Sequence, residues 1–280
     1  MKKILWFILG ILVILFGVLV YSRFLGTIGL KTNEIPTKID IPDSFDGLKI
    51  VHFSDLHYQK VITKKRVKNL IEEINQLRPD IVLFTGDLFN HDSVIENKDV
   101  NFLIEQLSSI QSKYGNYAVL GDNDYSHLDA IKNIYIQSNF VLLENSYAVI
   151  HNENNDKLWI GGISSPTEAE VDFDFITNYF SNQGDVRFQI MLSHEPDQID
   201  PILAVHPNTS LILSGHSLNG SINVPLIKKL LLPDGAKKYY EAYYEVGDAK
   251  AYISNGIGVD QINFRLINTP SINFYRIQKQ

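Results

Sequence analysis

Hydrophobic positions fall into two rhythms along this chain. Short, nearly continuous apolar runs at 50–53, 81–84, 117–120, 189–192 and 211–213 read as buried strands. Other segments carry apolar residues every three or four positions. In 64–77 these are Val67, Leu70, Ile71, Ile74 and Leu77; in 100–110, Leu103, Ile104, Leu107 and Ile110; in 128–136, Leu128, Ile131, Ile134 and Tyr135. That spacing predicts amphipathic helices, the first ended by Arg78-Pro79-Asp80. Further strands are expected at 158–163, 251–254 and 272–277, and a further helix over 171–180. Repeated strand–helix alternation predicts parallel strands with right-handed crossovers.

Residues 1–25 follow neither rhythm. Lys2-Lys3 precede an unbroken run of apolar residues and glycine from 4 to 20, extended by Tyr21. As a helix, this run nearly spans the hydrocarbon layer of a bilayer. No small-residue cleavage site follows it, so it reads as an uncleaved transmembrane anchor, with secretion after signal cleavage as the alternative. Positive charge ahead of the run places the N-terminus inside and the domain outside the cell membrane, in single-pass topology. Arg23 and Lys31 on the far side oppose that asymmetry. The expected layout is an anchor over 1–25, a tether and first edge strand over 26–46, and one domain over 47–280.

Composition narrows the class. With 45% hydrophobic and 20% charged residues the chain is that of a folded protein. A net charge of −7 disfavours replacement of phosphate counterions, so no nucleic-acid partner is expected. The basic run Lys64-Lys65-Arg66-Val67-Lys68 opens a helix and reads as a solvated face. The absence of cysteine excludes disulfides, thiolate nucleophiles and zinc–thiolate sites. No protein partner can be inferred.

Each of the five strand-like runs ends in a polar cluster. In order these are Asp55-Leu56-His57, Gly86-Asp87, Gly121-Asp122-Asn123-Asp124, Ser193-His194-Glu195 and Gly215-His216-Ser217-Leu218. Carboxylates and imidazoles at the ends of parallel strands converge, because crevices form outside the carboxyl ends of such sheets. Oxygen ligands combined with imidazole suit manganese, iron or zinc. Any one cluster is commonplace; the ordered series reads as a ligand set for two divalent ions.

The series resembles the motifs of the calcineurin-like metallophosphoesterases: D-x-H, G-D, G-N-H-D or G-N-H-E, a lone H, and G-H-x-H. The resemblance runs from about residue 33 to the C-terminus. It continues through Tyr252-Ile253-Ser254-Asn255-Gly256-Ile257-Gly258 and Arg265-Leu266-Ile267-Asn268-Thr269-Pro270, which look like the closing strands of members with an N-terminal membrane or export segment. It implies an α/β fold of two packed mixed β-sheets flanked by helices, a four-layer αββα sandwich after the transmembrane helix. It also implies that Asp55 and His57 hold one ion, that Asp87 bridges, and that Asp122, His194 and His216 complete the second site.

Three positions depart from the family pattern. Asp122 stands where the family has Asn, adding negative charge. Leu218 replaces the last His, leaving the first ion three protein ligands, so of two Mn, Fe or Zn ions only one need be tightly bound. Asn123 occupies the position of the family's catalytic His. It can donate a hydrogen bond to a phosphate but cannot deliver a proton, and general acid catalysis typically supplies about 10²–10⁴-fold. Asp124, the family's orienting acid, thereby loses its usual partner. His91 and His127 read as loop histidines, His52 as a core residue, and His151 and His206 as residues of polar loops. The pairs Tyr239-Tyr240 and Tyr243-Tyr244 read as strand or core packing.

The implied function is hydrolysis of a phosphoric ester or pyrophosphate by metal-activated water at the membrane, at reduced activity, with a lipid-linked phosphoester as one candidate substrate. The alternative is a catalytically impaired metal- or phosphate-binding pseudoenzyme acting as sensor or scaffold.

Overall fold

The computed structural model describes residues 2–184, 186–224, 227–259 and 263–280. Helix α1 (Lys2–Val20) runs on into a turn of π-helix (Tyr21–Leu25), and no residue of α1 is buried. The whole stretch Lys2–Leu25 is long and apolar enough to cross a membrane.

Two six-stranded mixed sheets form the centre. The first contains β1 (Lys31–Ile39), β2 (Lys49–Phe53), β3 (Ile81–Phe84), β4 (Asn116–Ala118) and β5 (Phe140–Leu142). The second contains β6 (Ser146–His151), β7 (Lys157–Gly162), β8 (Phe188–Leu192), β9 (Leu211–Ser214), β10 (Tyr243–Val246) and β11 (Ala249–Ile253). The last strand, β12 (Ser271–Lys279), returns to the first sheet between β1 and β2, parallel to the one and antiparallel to the other. Strands β2 to β5 run parallel, as do β7, β8, β9 and β11.

Residues alternating along the strands divide the core into layers. Ile50, Ile81 and Leu83 of the first sheet meet Ile160, Ile190 and Leu213 of the second. Val51 and Phe53 face the other way, against α2 (Lys64–Gln76), α3 (Asn97–Ser108) and α4 (Leu128–Gln137). On the far side Trp159, Met191 and Ile212 pack with α5 (Asp174–Gln183) and α6 (Ile199–Val205). Strands covered on both faces need apolar residues at every position, which is why the runs lack polar alternation. The result is the expected four-layer sandwich.

Several elements differ from the sequence expectation. The helix expected over 171–180 begins three residues later, at Asp174, whose amide is capped by the Asp172 carboxylate at 2.8 Å. Helix α6 was not anticipated; its Pro201 lies in the first turn, where no intrahelical donor is lost. Strands β5 and β6 were not anticipated: β5 is only three residues long and β6 is half-exposed, ending in His151, which therefore lies in a strand and not in a polar loop. His206 does not lie in a polar loop: it is buried at the end of α6, stacked on Phe180 at 4.2 Å between ring centroids.

The stretch joining α1 to β1 is fastened to the domain. The Arg265 amide donates to the carbonyl of Ser22 (3.0 Å), and the Lys31 amide to that of Pro270 (2.9 Å). Arg66 departs from the solvated face expected of its basic run. Its guanidinium reaches back over the helix start to the carbonyls of Thr27 (3.0 Å) and Val61 (2.9 Å).

Candidate metal centre

The six predicted ligands sit just beyond the carboxyl ends of five strands: Asp55 and His57 after β2, Asp87 after β3, Asp122 after β4, His194 after β8 and His216 after β9. The structure brings all six together. His57 Nε2 lies 3.7 Å from both Asp55 Oδ1 and Asp87 Oδ2. His194 Nε2 lies 3.5 Å from Asp87 Oδ2 and 3.1 Å from Asp122 Oδ1, and His216 Nδ1 is 3.1 Å from the same Asp122 oxygen. Two groups able to hold a cation emerge, Asp122–His194–His216 and Asp55–Asp87–His194.

Local backbone geometry makes this convergence possible. Asp55, His57, Asp87 and His216 all have positive φ, between 45° and 66°. Each such residue costs of order 1–2 kcal/mol, a strain that persists where surrounding structure enforces it. Here the Asp55 amide is held by the carbonyl of Gly86 (2.9 Å), and its own carbonyl accepts from Gly258 (2.7 Å). Glycine is required at 121 and 215, where a side chain would strike the Asp87 carboxylate in one case and Ser54 and Asp55 in the other.

Surrounding carbonyls fix which nitrogen each imidazole presents. His194 Nδ1 donates to the carbonyl of Thr85 (2.5 Å), leaving Nε2 to face the carboxylates. His216 Nε2 donates to the carbonyl of Asp234 (2.7 Å), leaving Nδ1 inward. Outer partners of this kind set the tautomer of metal-binding histidines. His194 Nε2 and Asp122 Oδ1 are shut off from solvent and carry no hydrogen bond. A buried polar atom without a partner is costly, and a cation placed between these atoms would satisfy both. The residues therefore fit a divalent ion.

Electrostatics agree. Burial alone would depress the His194 imidazole, but the charge of Asp87 and the contact with Asp122 hold its pKa well above the ordinary value. At His216 burial is likewise outweighed by Asp122, and the pKa rises to about 9. Burial would raise the Asp122 carboxyl; the two imidazoles instead bring it far below the carboxylate range.

Asn123 lies at the edge of the group. Its carboxamide donates to Asp87 Oδ2 (2.6 Å) and accepts from the His91 amide (2.9 Å), and its own amide donates to Asp87 Oδ1 (3.0 Å). Asp124 is not without partners: it accepts from the amides of Asp87, Leu88 and Gly121, each at 2.9 Å, and so pins two ligand loops together. Burial, with Asp87 nearby, raises its pKa to about 7. Leu218 is buried and packs on Gly256 beside Asp55. His91 is exposed, and His127 contacts its carbonyl at 3.2 Å without joining the ligands. His52 is a core residue, contacting Thr85 Oγ1 at 2.9 Å, with burial lowering its pKa to about 3. Tyr239 packs in the outer core and Tyr243–Val246 is a strand, as the tyrosine pairs suggested.

Sequence reasoning missed two residues behind the ligands. Glu195 is fully buried beside His194, bonded to Ser165 and Thr167. Arg265 is also fully buried, and its guanidinium grips the carbonyls of Gly256 (3.1 Å) and Gly258 (3.1 Å from Nε). The 256–258 turn in turn holds Asp55. An arginine between Phe264 and Leu266-Ile267 was the available signal.

Comparisons with known proteins agree with this geometry. An uncharacterized metallophosphoesterase of Bacillus subtilis, YkuE, is 27% identical over 92% of this chain and 89% of its own length. A Danio rerio transmembrane protein with metallophosphoesterase domain is 25% identical over 85% of this chain, which spans only 55% of that relative. Among solved structures, the Termus thermophilus sulfate thiohydrolase SoxB in complex with glycerol shares the fold, with a TM-score of 0.50 at 13% identity. That match covers 78% of this chain and about half of SoxB (53%). The profile of the calcineurin-like phosphoesterases matches residues 48–220, more than half of the chain and a span that includes all six predicted ligands, and the chain belongs to that family.

Proposed function

We propose that this chain is a metal-dependent phosphoesterase held at the membrane by residues 1–25, with its catalytic domain, 47–280, facing outward. One observation carries the reading. Two groups able to hold a cation, Asp122–His194–His216 and Asp55–Asp87–His194, share His194 at the carboxyl ends of parallel strands. Asp55, His57, Asp87, Asp122, His194 and His216 would hold two ions, the Asp122–His194–His216 group more tightly because Leu218 withholds a ligand from the other. Bound divalent ions supply positive charge to a phosphoryl group and acidify the attacking water. The protein's own contribution is to fix the ligands through Thr85, Asp234 and Asp124 and to exclude bulk water from the buried carboxylates.

Reduced turnover follows from Asn123. Its engagement with Asp87 makes it a positioning residue more than a proton donor, so esters with acidic leaving groups should react best. That same engagement favours the second reading, a metal-binding pseudoenzyme.

The test uses the full chain in detergent with manganese, assayed for metal content and for hydrolysis of p-nitrophenyl mono- and diesters. Near-stoichiometric metal with turnover, both lost in Asp87→Ala, is the expected result. Metal bound without turnover on either ester would establish the pseudoenzyme instead.

A further inference from the structure

A cavity of about 320 Å³ lies beside the candidate metal centre, reaching it at His216, with Leu218, Ile222, Leu231, Leu232 and Phe264 on its lining. Its size lies at the small end of ligand pockets, roughly 300–1,000 Å³. His216 and Leu218 belong both to the cavity and to the loop that carries the ligands. Leu218, where the family pattern has a histidine, thus presents hydrocarbon in place of a ligand. Lys228 on the described lining has its ammonium paired with Glu241 (3.0 Å) and Asn219 (3.2 Å). Apolar side chains form one part of the wall, and Ser217, Ser221 and the His216 imidazole form the polar part.

The cavity is also joined to the end of the apolar N-terminal helix. Its rim at Ser221 accepts from the Leu266 amide (2.9 Å), and the neighbouring Arg265 amide donates to Ser22 (3.0 Å). On the cavity lining Leu230 is 83% exposed and Leu231 48%. Two large aliphatic side chains exposed at one opening offer a surface suited to something apolar. Their proximity to the segment suited to cross the bilayer identifies that partner as lipid hydrocarbon.

We infer that this cavity receives the hydrocarbon chain of an amphiphilic phosphoester drawn from the membrane, with its phosphate directed to the metal centre. The inference rests on the phosphoesterase reading and specifies its substrate class.

The test measures binding of ethyl, butyl and hexyl phosphate to the manganese-loaded full chain in lipid nanodiscs, by protection against thermal unfolding, in the wild type and in Leu231→Glu. Each methylene that leaves water should tighten binding by roughly threefold to fourfold until the cavity is full. In Leu231→Glu that dependence should flatten while ethyl phosphate binding stays unchanged. Equal affinity for all three esters would overturn the inference and leave the phosphoesterase reading intact. A chain-length dependence that Leu231→Glu does not alter would place the hydrocarbon elsewhere and also overturn it. Failure of every ester to bind the metal-loaded protein would remove both readings.

Discussion

Leu218 is a buried aliphatic side chain at φ 50°, beside Asp55, where a histidine would complete the first metal site. Replacing it with histidine should raise the bound metal from about one ion per chain towards two, read by elemental analysis after gel filtration. Without metal the variant should be less stable by about 1–3 kcal/mol, since an imidazole would be buried without a partner. Added manganese should restore the loss. A variant that binds no additional metal would show that the loop cannot aim a ligand from this position. The six ligands were legible as residue types because Asp and His at strand ends are conspicuous. Glu195 and Arg265 were not, because a buried charge is recognised only once its surroundings are known.

At the scale of elements, the turn at 256–258 supports the strand end at Asp55. Arg265 grips the carbonyls of Gly256 and Gly258, while the amides of Ile257 and Gly258 donate to the Asp55 carbonyl (3.2 and 2.7 Å). Arg265→Met retains much of the bulk and removes these bonds. It should lower stability by about 2–4 kcal/mol, as two or more charge-assisted hydrogen bonds are lost. Metal affinity should fall about 10–100-fold, the usual effect of removing an outer partner of a metal ligand. Calorimetric metal titration of the full chain checks this, and unchanged affinity would mean that Asp55 is held by β2 alone. Strand and helix positions were largely legible from periodicity. The misplaced start of α5 and the unforeseen α6 were not, since capping by Asp172 and a proline tolerated in a first turn are matters of local geometry.

For the whole molecule, the metal-free and metal-loaded proteins should respond to pH in opposite ways. His194 and His216 bind protons more tightly folded than unfolded, so the metal-free fold holds extra protons above pH 6.5. Its stability should therefore fall as pH rises from about 6.5 to 9, where His216 titrates. Metal displaces those protons, so apparent affinity should increase over the same interval. Thermal unfolding across this pH range, with and without manganese, gives both slopes. A flat metal-free profile would mean that the imidazoles are neutral and the cluster is not organised as described. Membrane attachment is tested separately: mass spectrometry should find the mature chain still carrying residues 1–25 in the membrane fraction.

By itself the sequence determined the apolar helix, most of the strand–helix alternation, and the identities of the six clustered side chains, because period, length and residue chemistry are local properties. Only the tertiary structure decided which imidazole nitrogens face the carboxylates, what Asn123 and Asp124 bind, and that Leu218 forms the wall of an apolar cavity. These depend on carbonyls and side chains that are distant in sequence. Thr85 orients His194 only once two sheets pack and bring their strand ends together, while Asp234 reaches His216 and Gly256 receives Leu218 from later loops of the second sheet.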